Sequence, residues 1–129
     1  MSATSITGVI APENGGTGMN DLVNTVTYPF SGSPSSGTMS NGTALNNVIT
    51  GNMPQDTFTF TLPSASLNAG KIFVIKLKNT KTNDAQTLRL TPAGSDKLEG
   101  LSTSTSFSVT AQKYSTVTII SDGTNWWIM

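Results

Sequence analysis

Cysteine and histidine are both absent from this chain of 129 residues. Without cysteine the protein cannot be a disulfide-stapled scaffold, and it has no thiolate with which to bind zinc or an iron–sulfur cluster. Without histidine it lacks the base of a Ser–His–Asp triad and the most common general acid–base group of enzymes. These two absences exclude the commonest catalytic and metal-binding sites.

Charge is also scarce, because seven basic residues balance seven acidic ones and only 11% of positions are charged. An ordinary soluble domain has about 25%. A chain with no basic excess is not expected to bind nucleic acid. Lys71, Lys76, Lys78 and Lys81 form one cluster without interleaved aromatic residues or arginine. We interpret them as solvated residues that protect a strand from edge-to-edge aggregation, in preference to a phosphate-binding stripe.

Long hydrophobic runs are missing as well. No wholly apolar run exceeds four residues, as in Ile72–Ile75, whereas about 20 are needed to span a bilayer. The start of the chain, Met1–Ile6, has neither the basic nor the apolar region of a secretory signal. We therefore expect no membrane partner and synthesis in a cytosol.

Threonine, serine and asparagine dominate instead, with 21, 16 and 11 copies, while hydrophobic residues make up 36%. Threonine is β-branched and suits a half-exposed strand, whereas alanine, a good helix former, occurs only 8 times. The composition therefore predicts an all-β protein. Its thin apolar content and zero net charge favour association with copies of itself or with another protein.

Strict alternation of side chains marks several strands. From Thr57 to Leu62, apolar and hydroxyl side chains alternate, so that one face of a strand would be apolar and the other polar. Alternation predicts these inward-facing residues on four strands: Val26, Tyr28 and Phe30; Phe58, Phe60 and Leu62; Phe73, Ile75 and Leu77; Leu88 and Leu90. Ile72 and Val74 add apolar residues to the second face of their strand, which predicts cover on both sides for part of its length.

These patterns divide the chain into two parts, a β domain and an N-terminal arm. Residues 21–129 contain seven or eight short strands separated by turn signals, which predicts a small antiparallel β-sandwich or barrel-like domain. Residues 1–20 are interpreted as an extended glycine-rich arm, because the run from Asn14 to Gly18 cannot hold a helix. Residues 31–43 consist mostly of turn formers and predict a surface loop, with contact to a partner subunit as the alternative.

The C-terminal end predicts a hairpin. Asp122-Gly123 lies between two hydrophobic runs, so residues 115–121 are expected to pair with 125–129 in antiparallel fashion. Consecutive residues of a strand face opposite ways, so one of Trp126 and Trp127 should enter the core and the other should face outward. The outward indole is best interpreted as a subunit contact, with glycan stacking or ordinary packing as alternatives.

Catalytic and metal-binding chemistry finds little support in the sequence. Ser95-Asp96-Lys97 places reactive residue types together, but Gly94 and Gly100 flank it and favour a plain turn. Asp96, Glu99 and Asp122 could supply oxygen ligands to calcium, yet their spacing matches no known calcium loop and turn-forming acids are favoured. We predict no enzyme activity, no metal and no cofactor.

Several stretches resemble elements of virion proteins. Residues 14–18 (Asn-Gly-Gly-Thr-Gly) are similar to an element that recurs in bacteriophage tail-fibre and other virion fibre proteins. Four later stretches resemble, in content and order, the C-terminal β domains of phage and giant-virus fibre or decoration proteins: residues 62–65, 70–76, 90–100 and 121–128. Lys97 and Leu98 depart from the threonine and isoleucine that the family more often has at these positions.

The resemblance implies a viral structural protein with a β-rich fold and, commonly, a homotrimer, and it transfers no catalytic residue. The length of the chain leaves no room for the shaft of a host-recognition fibre, which favours a capsid decoration or short head-fibre protein that is made in the host cytoplasm and resides in the virion. Its expected partners are further copies of itself and the major capsid protein or another virion protein. The arm would anchor it through Ile6, Val9, Ile10, Asn14, Gly15, Gly16, Thr17 and Gly18.

Two other functions are considered. The first is a receptor- or glycan-binding tail-fibre tip, which would use Trp126 or Trp127 with the loop 31–43 to bind a host surface glycan. The second is an enzyme that degrades host polysaccharide, which would need a pair of carboxylates in a groove. The sequence offers few acids for the second function.

Overall fold

The computed structural model describes residues 21–28, 30, 32–81, 86–101, 107–111 and 116–129. These residues contain a short 3₁₀ turn at Ser66–Asn68 and no α-helix, so the all-β prediction is confirmed. The strands are β1 (Asp21–Tyr28), β2 (Ser36–Thr38), β3 (Ala44–Asn52), β4 (Thr57–Thr61), β5 (Ile72–Lys78), β6 (Gln86–Thr91), β7 (Phe107–Ala111), β8 (Val117–Ser121) and β9 (Trp126–Ile128). The predicted arm, residues 1–20, lies outside the described residues.

The strands form two sheets, and up to β6 the chain alternates between them. One sheet has five strands in the order β1-β3-β5-β8-β9, and the other has four in the order β2-β4-β6-β7. The pairs β1–β3, β3–β5, β2–β4 and β4–β6 are all parallel. Two consecutive strands, one from each sheet, therefore make one turn of the chain around the core, which we call a coil. The three coils are β1 with β2, β3 with β4, and β5 with β6.

The prediction of an antiparallel fold was wrong for these three coils. Parallel neighbours need a crossover connection, and here that connection is a strand of the opposite sheet. Strands that follow one another in sequence therefore do not pair with each other. Each strand instead pairs with the one that follows a full coil later, in the same direction.

Antiparallel pairing begins where the coils end. β7 pairs with β6, β8 with β5, and β9 with β8, each in antiparallel direction. In the last pair Ile119 faces Ile128 and Ser121 faces Trp126, which confirms the predicted C-terminal hairpin. Gly123 at its turn has φ of 92°, a conformation that glycine adopts without a steric penalty.

The loop predicted over residues 31–43 contains a strand. Ser36–Thr38 pairs with Thr59–Thr61 of β4, and Met39 beyond it is 1% exposed. This strand could not be predicted, because Ser36-Gly37-Thr38 has no apolar residue to mark an inward face. Its position depends on the neighbouring backbone of β4, which supplies the hydrogen bonds.

The hydrophobic core is one cluster to which both sheets contribute. All the predicted inward residues of β4, β5 and β6, with Leu62, are at most 3% exposed, and Val26, Tyr28 and Phe30 pack against them. The ring of Tyr28, from the five-stranded sheet, meets that of Phe60, from the other sheet, edge to face at 5.1 Å. The period-2 prediction of which side chains face inward is therefore confirmed.

A buried asparagine fixes the corner between the first and second coils. Asn47 is 0% exposed, and its Oδ1 accepts hydrogen bonds from the backbone N–H groups of Thr43 and Ala44 at 3.1 and 3.2 Å. Its Nδ2 donates to the carbonyl oxygens of Ala44 and Ile72 at 2.8 and 3.3 Å. All four hydrogen-bonding positions of this amide are therefore used, and the last bond reaches the third coil.

A second buried amide, Asn68, supports the same corner. Its Oδ1 accepts from Gly42 N at 2.7 Å, and its Nδ2 donates to Asn41 Oδ1 and the Ser64 carbonyl at 3.0 and 2.7 Å. Gly42 leaves no room for a side chain, because a Cβ there would lie 2.5 Å from the Nδ2 of Asn47. Polar groups, rather than apolar packing, hold the corner closed.

We expect Asn47→Ala to lower the free energy of unfolding by about 3 kcal/mol, since it leaves several buried backbone groups without partners. The matched control is Asn46→Ala on the same strand, where the half-exposed amide makes one hydrogen bond, to the Leu22 carbonyl at 3.2 Å. That variant should cost less than about 1 kcal/mol. Denaturant unfolding at one fixed protein concentration measures both, and equal losses would contradict the role given to Asn47.

Candidate functional site

Trp126 belongs to the core. Its side chain is 0% exposed, its Nε1 donates to the Pro63 carbonyl at 3.0 Å, and its ring meets Phe73 edge to face at 5.3 Å. The prediction that one indole of the pair enters the core is confirmed. Any surface contact made by this pair therefore falls to Trp127.

Trp127 faces outward and is held in place. It is 38% exposed, and its Nε1 donates to Asp122 Oδ2 at 2.7 Å. On another side it lies close to Gly100, where an added Cβ would be 3.7 Å from the ring. The indole is thus oriented by a hydrogen bond while part of its ring stays open to solvent.

Asp122 organises both the hairpin turn and this indole. Its Oδ1 accepts the backbone N–H groups of Asn125 at 2.7 Å and Thr124 at 2.8 Å, and its Oδ2 accepts from Trp127. The hydrogen bond from the Asn125 backbone, followed by those from the Trp127 side chain and the Thr124 backbone, lowers the pKa of Asp122 below its ordinary value of 3.8.

The stretches that carry the virion resemblance meet around this hairpin. Trp126 N donates to the Lys97 carbonyl at 2.9 Å, and Lys97 N donates to Asn125 Oδ1 at 3.1 Å. These bonds hold residues 90–100 against residues 121–128. The turn within residues 90–100 and the C-terminal hairpin therefore close the body together.

The two remaining stretches join the same cluster through Ser121. The buried Ser121 hydroxyl donates to the Ala65 carbonyl at 2.7 Å, and Gly70 N donates to the Ser121 carbonyl at 2.9 Å. Ala65 N in turn donates to Asp96 Oδ2 at 2.8 Å. Residues 62–65, 70–76, 90–100 and 121–128 are therefore one contiguous structural unit.

The three acids considered for calcium each hold backbone in place. Asp96 accepts from Ala65 N, Asp122 from its own turn, and Glu99 Oε1 from the backbone N–H of Ile128. Within the described part of the chain, no group of three or more His, Cys, Asp or Glu residues could hold a metal ion. This geometry favours the interpretation of these residues as turn-forming acids.

Two of the clustered lysines, Lys71 and Lys81, reach neighbouring parts of the chain. Lys71 Nζ donates to the Gly42 and Leu67 carbonyls at 2.7 and 3.3 Å. Lys81 pairs with Asp56 at 2.7 Å. Lys76 and Lys78 lie between them on β5.

The outer face of the five-stranded sheet carries two rows of aligned residues. One row crosses all five strands, as Val23, Asn46, Ile72, Ile120 and Trp127, and the next includes Thr25, Val48, Val74 and Thr118. Met129 N donates to the Thr118 carbonyl at 2.8 Å, which extends the second row. We call the apolar members of these rows the apolar outer face: Val23, Val48, Ile72, Val74, Ile120, Trp127 and Met129.

No charged residue stands in either row, and the apolar members range from half-buried to 69% exposed at Met129. The sequence indicated only part of this surface, in Ile72, Val74 and the outward-facing tryptophan of the pair Trp126 and Trp127. The other residues of this surface come together only through the register between strands that are far apart in the chain.

The outer face of the four-stranded sheet is different in chemistry. It bears hydroxyl side chains and one cation, which are Ser36, Thr38, Thr57, Thr59, Thr61, Thr87, Arg89, Thr91 and Ser108. We call it the hydroxyl face. These side chains suit contact with water, so the two outer faces of the body are unequal.

Comparison of the chain with protein-family models, with curated proteins and with solved structures finds no match. Among the described residues no helix combines the length and hydrophobicity needed to cross a membrane. The candidate anchoring residues Ile6, Val9, Ile10, Asn14, Gly15, Gly16, Thr17 and Gly18 lie outside the described residues. The site that the structure supports best is therefore the apolar outer face with Trp127.

Acidification should release Trp127 from Asp122. Because the folded pKa of Asp122 is lowered, the stabilising effect of the carboxylate is fully present above its ordinary value of 3.8 and is lost as the pH falls through the lowered pKa. We expect a change in tryptophan fluorescence with a midpoint below 3.8, and its loss in Asp122→Asn. Trp127→Phe keeps the buried Trp126 as a reference, and persistence of the transition in that variant would exclude Trp127 as its source.

Proposed function

We propose that this chain is a viral structural protein, a capsid decoration or short head-fibre protein that attaches to the virion through residues 1–20. The observation that carries the proposal is the joining of the four virion-like stretches into one closing unit around residues 121–128. The polar groups of this unit form hydrogen bonds with one another and so hold the end of the β domain together. The unit therefore suits a structural protein better than a catalyst.

The position of β1 supports the role of the arm. Among the described residues β1 is an edge strand of the five-stranded sheet, and residues 1–20 precede it directly in the chain. Fully extended, 20 residues span at most about 70 Å. An extended segment with Ile6, Val9 and Ile10 suits addition to an exposed strand edge of a coat protein, where backbone hydrogen bonds supply affinity.

The packing of the two sheets and the number of copies in the assembly are part of the same proposal. Two sheets that share one core suit a sandwich-like arrangement of layers, and the contact between Tyr28 and Phe60 supports it. The virion resemblance further implies a homotrimer. The protein would be made in the host cytoplasm and carried in the virion, with the major capsid protein or another virion protein as its partner.

A receptor- or glycan-binding fibre tip is the second candidate, and Trp127 is the observation that favours it. A partly exposed indole with its Nε1 held by Asp122 offers a fixed apolar ring to a sugar. Hydrolysis of polysaccharide has less support, because a glycosidase needs two carboxyl groups that face a groove. Asp96, Glu99 and Asp122 instead accept backbone hydrogen bonds.

Removal of residues 1–18 should abolish attachment to virions and leave the β domain folded. A full-length variant with Ile6, Val9 and Ile10 each changed to Asp should also fail to attach, because charged side chains oppose burial of the arm. Co-sedimentation with empty capsids measures attachment, and circular dichroism checks the fold. Continued attachment of both folded variants would refute anchoring by the arm.

A glycan array distinguishes the second candidate from the first. If the chain is a fibre tip, the full-length protein should bind particular sugars reproducibly, and Trp127→Ala should remove that binding because the stacking surface is gone. Thr61→Ala on the hydroxyl face serves as the control. For a decoration protein we expect no sugar binding above background in any of the three proteins.

A further inference from the structure

We infer that the apolar outer face is a self-association surface that binds a second copy of this chain, with Trp127 as its anchor. The inference does not depend on attachment to a virion. It identifies the surface through which copies meet, whether two or three of them assemble.

The contrast between the two outer faces is the first argument. Both sheets turn every second side chain outward, but the hydroxyl face carries threonine, serine and Arg89, while the other carries seven apolar side chains in two adjoining rows. Val23 and Met129 are 60% and 69% exposed. Single exposed apolar residues are ordinary on monomers, whereas contiguous apolar patches mark interaction sites.

Trp127 has the properties of an anchor. Its hydrogen bond to Asp122 orients the indole before a partner arrives. Little side-chain entropy is then lost on association. Tryptophan is also enriched among the residues that contribute most to binding at protein interfaces.

The dimensions of the sheet suit a protein interface. Neighbouring strands lie about 4.8 Å apart, so the row from Val23 to Trp127 spans about 19 Å. The longest strand, β3, has 9 residues and a length of about 30 Å. The two apolar rows are two residues apart and occupy about 14 Å along the strands, so the apolar outer face covers about 270 Å² of the sheet. An area of that size suits the apolar centre of a standard interface, in which each partner buries roughly 800 Å² in total.

Charge identifies the occupant. The two rows carry no charged residue, and the lysines of the same face, Lys76 and Lys78, stand in the rows beyond them on β5. A nucleic acid or an anionic lipid surface would therefore meet cations at one margin only and none among the apolar side chains. A highly charged protein would lose hydration without an ionic partner. A second copy matches this neutral surface with an equally neutral one, and the chain as a whole has zero net charge and 11% charged residues, so copies repel each other little.

The test places a lysine on each outer face in turn. Ile120→Lys puts a charge at a half-buried position in the middle of the apolar outer face, and Thr61→Lys puts one at a half-buried position of the hydroxyl face. Sedimentation equilibrium over a wide range of protein concentrations measures association. We expect wild type and Thr61→Lys to form the same oligomer, and Ile120→Lys and Trp127→Ala to raise its dissociation constant by about tenfold or more.

Fluorescence gives a second, independent readout. On dilution of the wild type, emission should shift to longer wavelength as Trp127 becomes exposed to water. Trp127→Phe should show no such shift, because the buried Trp126 does not change its surroundings. Circular dichroism and unfolding midpoints confirm that each variant is folded, and Trp127→Ala, which alters a surface residue, serves if Ile120→Lys does not fold.

Three results would overturn the inference. The first is a wild-type chain that stays monomeric at every concentration, and the second is association of Ile120→Lys and Trp127→Ala that is as tight as that of the wild type. The third is a monomeric wild type whose binding to empty capsids is lost in Trp127→Ala. That result would assign the surface to a virion protein instead of a second copy.

Discussion

Parallel pairing between successive coils is the constraint on which the rest of the structure depends. Asn46 of β3, for example, lies between Val23 of β1 and Ile72 of β5. The register assigns every second residue to the shared core and aligns the others in rows across the outer faces. Asn47 and Asn68 hold one corner of the body in place through buried hydrogen bonds. Apolar side chains could not replace these hydrogen bonds.

Much of the local structure could be predicted from the sequence, because alternation has a direct physical meaning in a strand. Thr57–Leu62 identified β4 and its inward residues, and Asp122-Gly123 identified the C-terminal hairpin. The strand Ser36–Thr38 was missed because none of its side chains is apolar, and its pairing depends on the backbone of β4. Such a strand is defined by its neighbour more than by its own residues.

The pairing partners could not be predicted, because a period of two residues says nothing about which strand lies alongside. The pairs Val23–Asn46, Asn46–Ile72 and Thr57–Thr87 differ in sequence separation, so the coils do not form a repeat of fixed length. The apolar outer face was hidden for the same reason. Ile72, Val74 and an outward-facing tryptophan could be predicted one by one, but their alignment could not, since Ile120 and Trp127 join the row of Ile72 through antiparallel strands much later in the chain.

The adjacent tryptophans show how one dipeptide serves two purposes. Trp126 closes the core against Phe73 and Pro63, and Trp127 lies outside at the edge of the sheet. The strand geometry that separates them was predictable, but the roles of the two residues were not. Which indole faced inward depended on the hydrogen bonds of residues 90–100 with β9.

The reversal of strand direction after β6 has a consequence for how proteins of this shape vary in size. Within the described residues the coils pair in chain order, so an additional coil inserted ahead of β1 would meet an edge strand already suited to parallel pairing. At the opposite end β8 and β9 run antiparallel to their neighbours, so the parallel pattern is interrupted there. Longer versions of this architecture should therefore grow from the amino-terminal side and keep the carboxy-terminal closure unchanged.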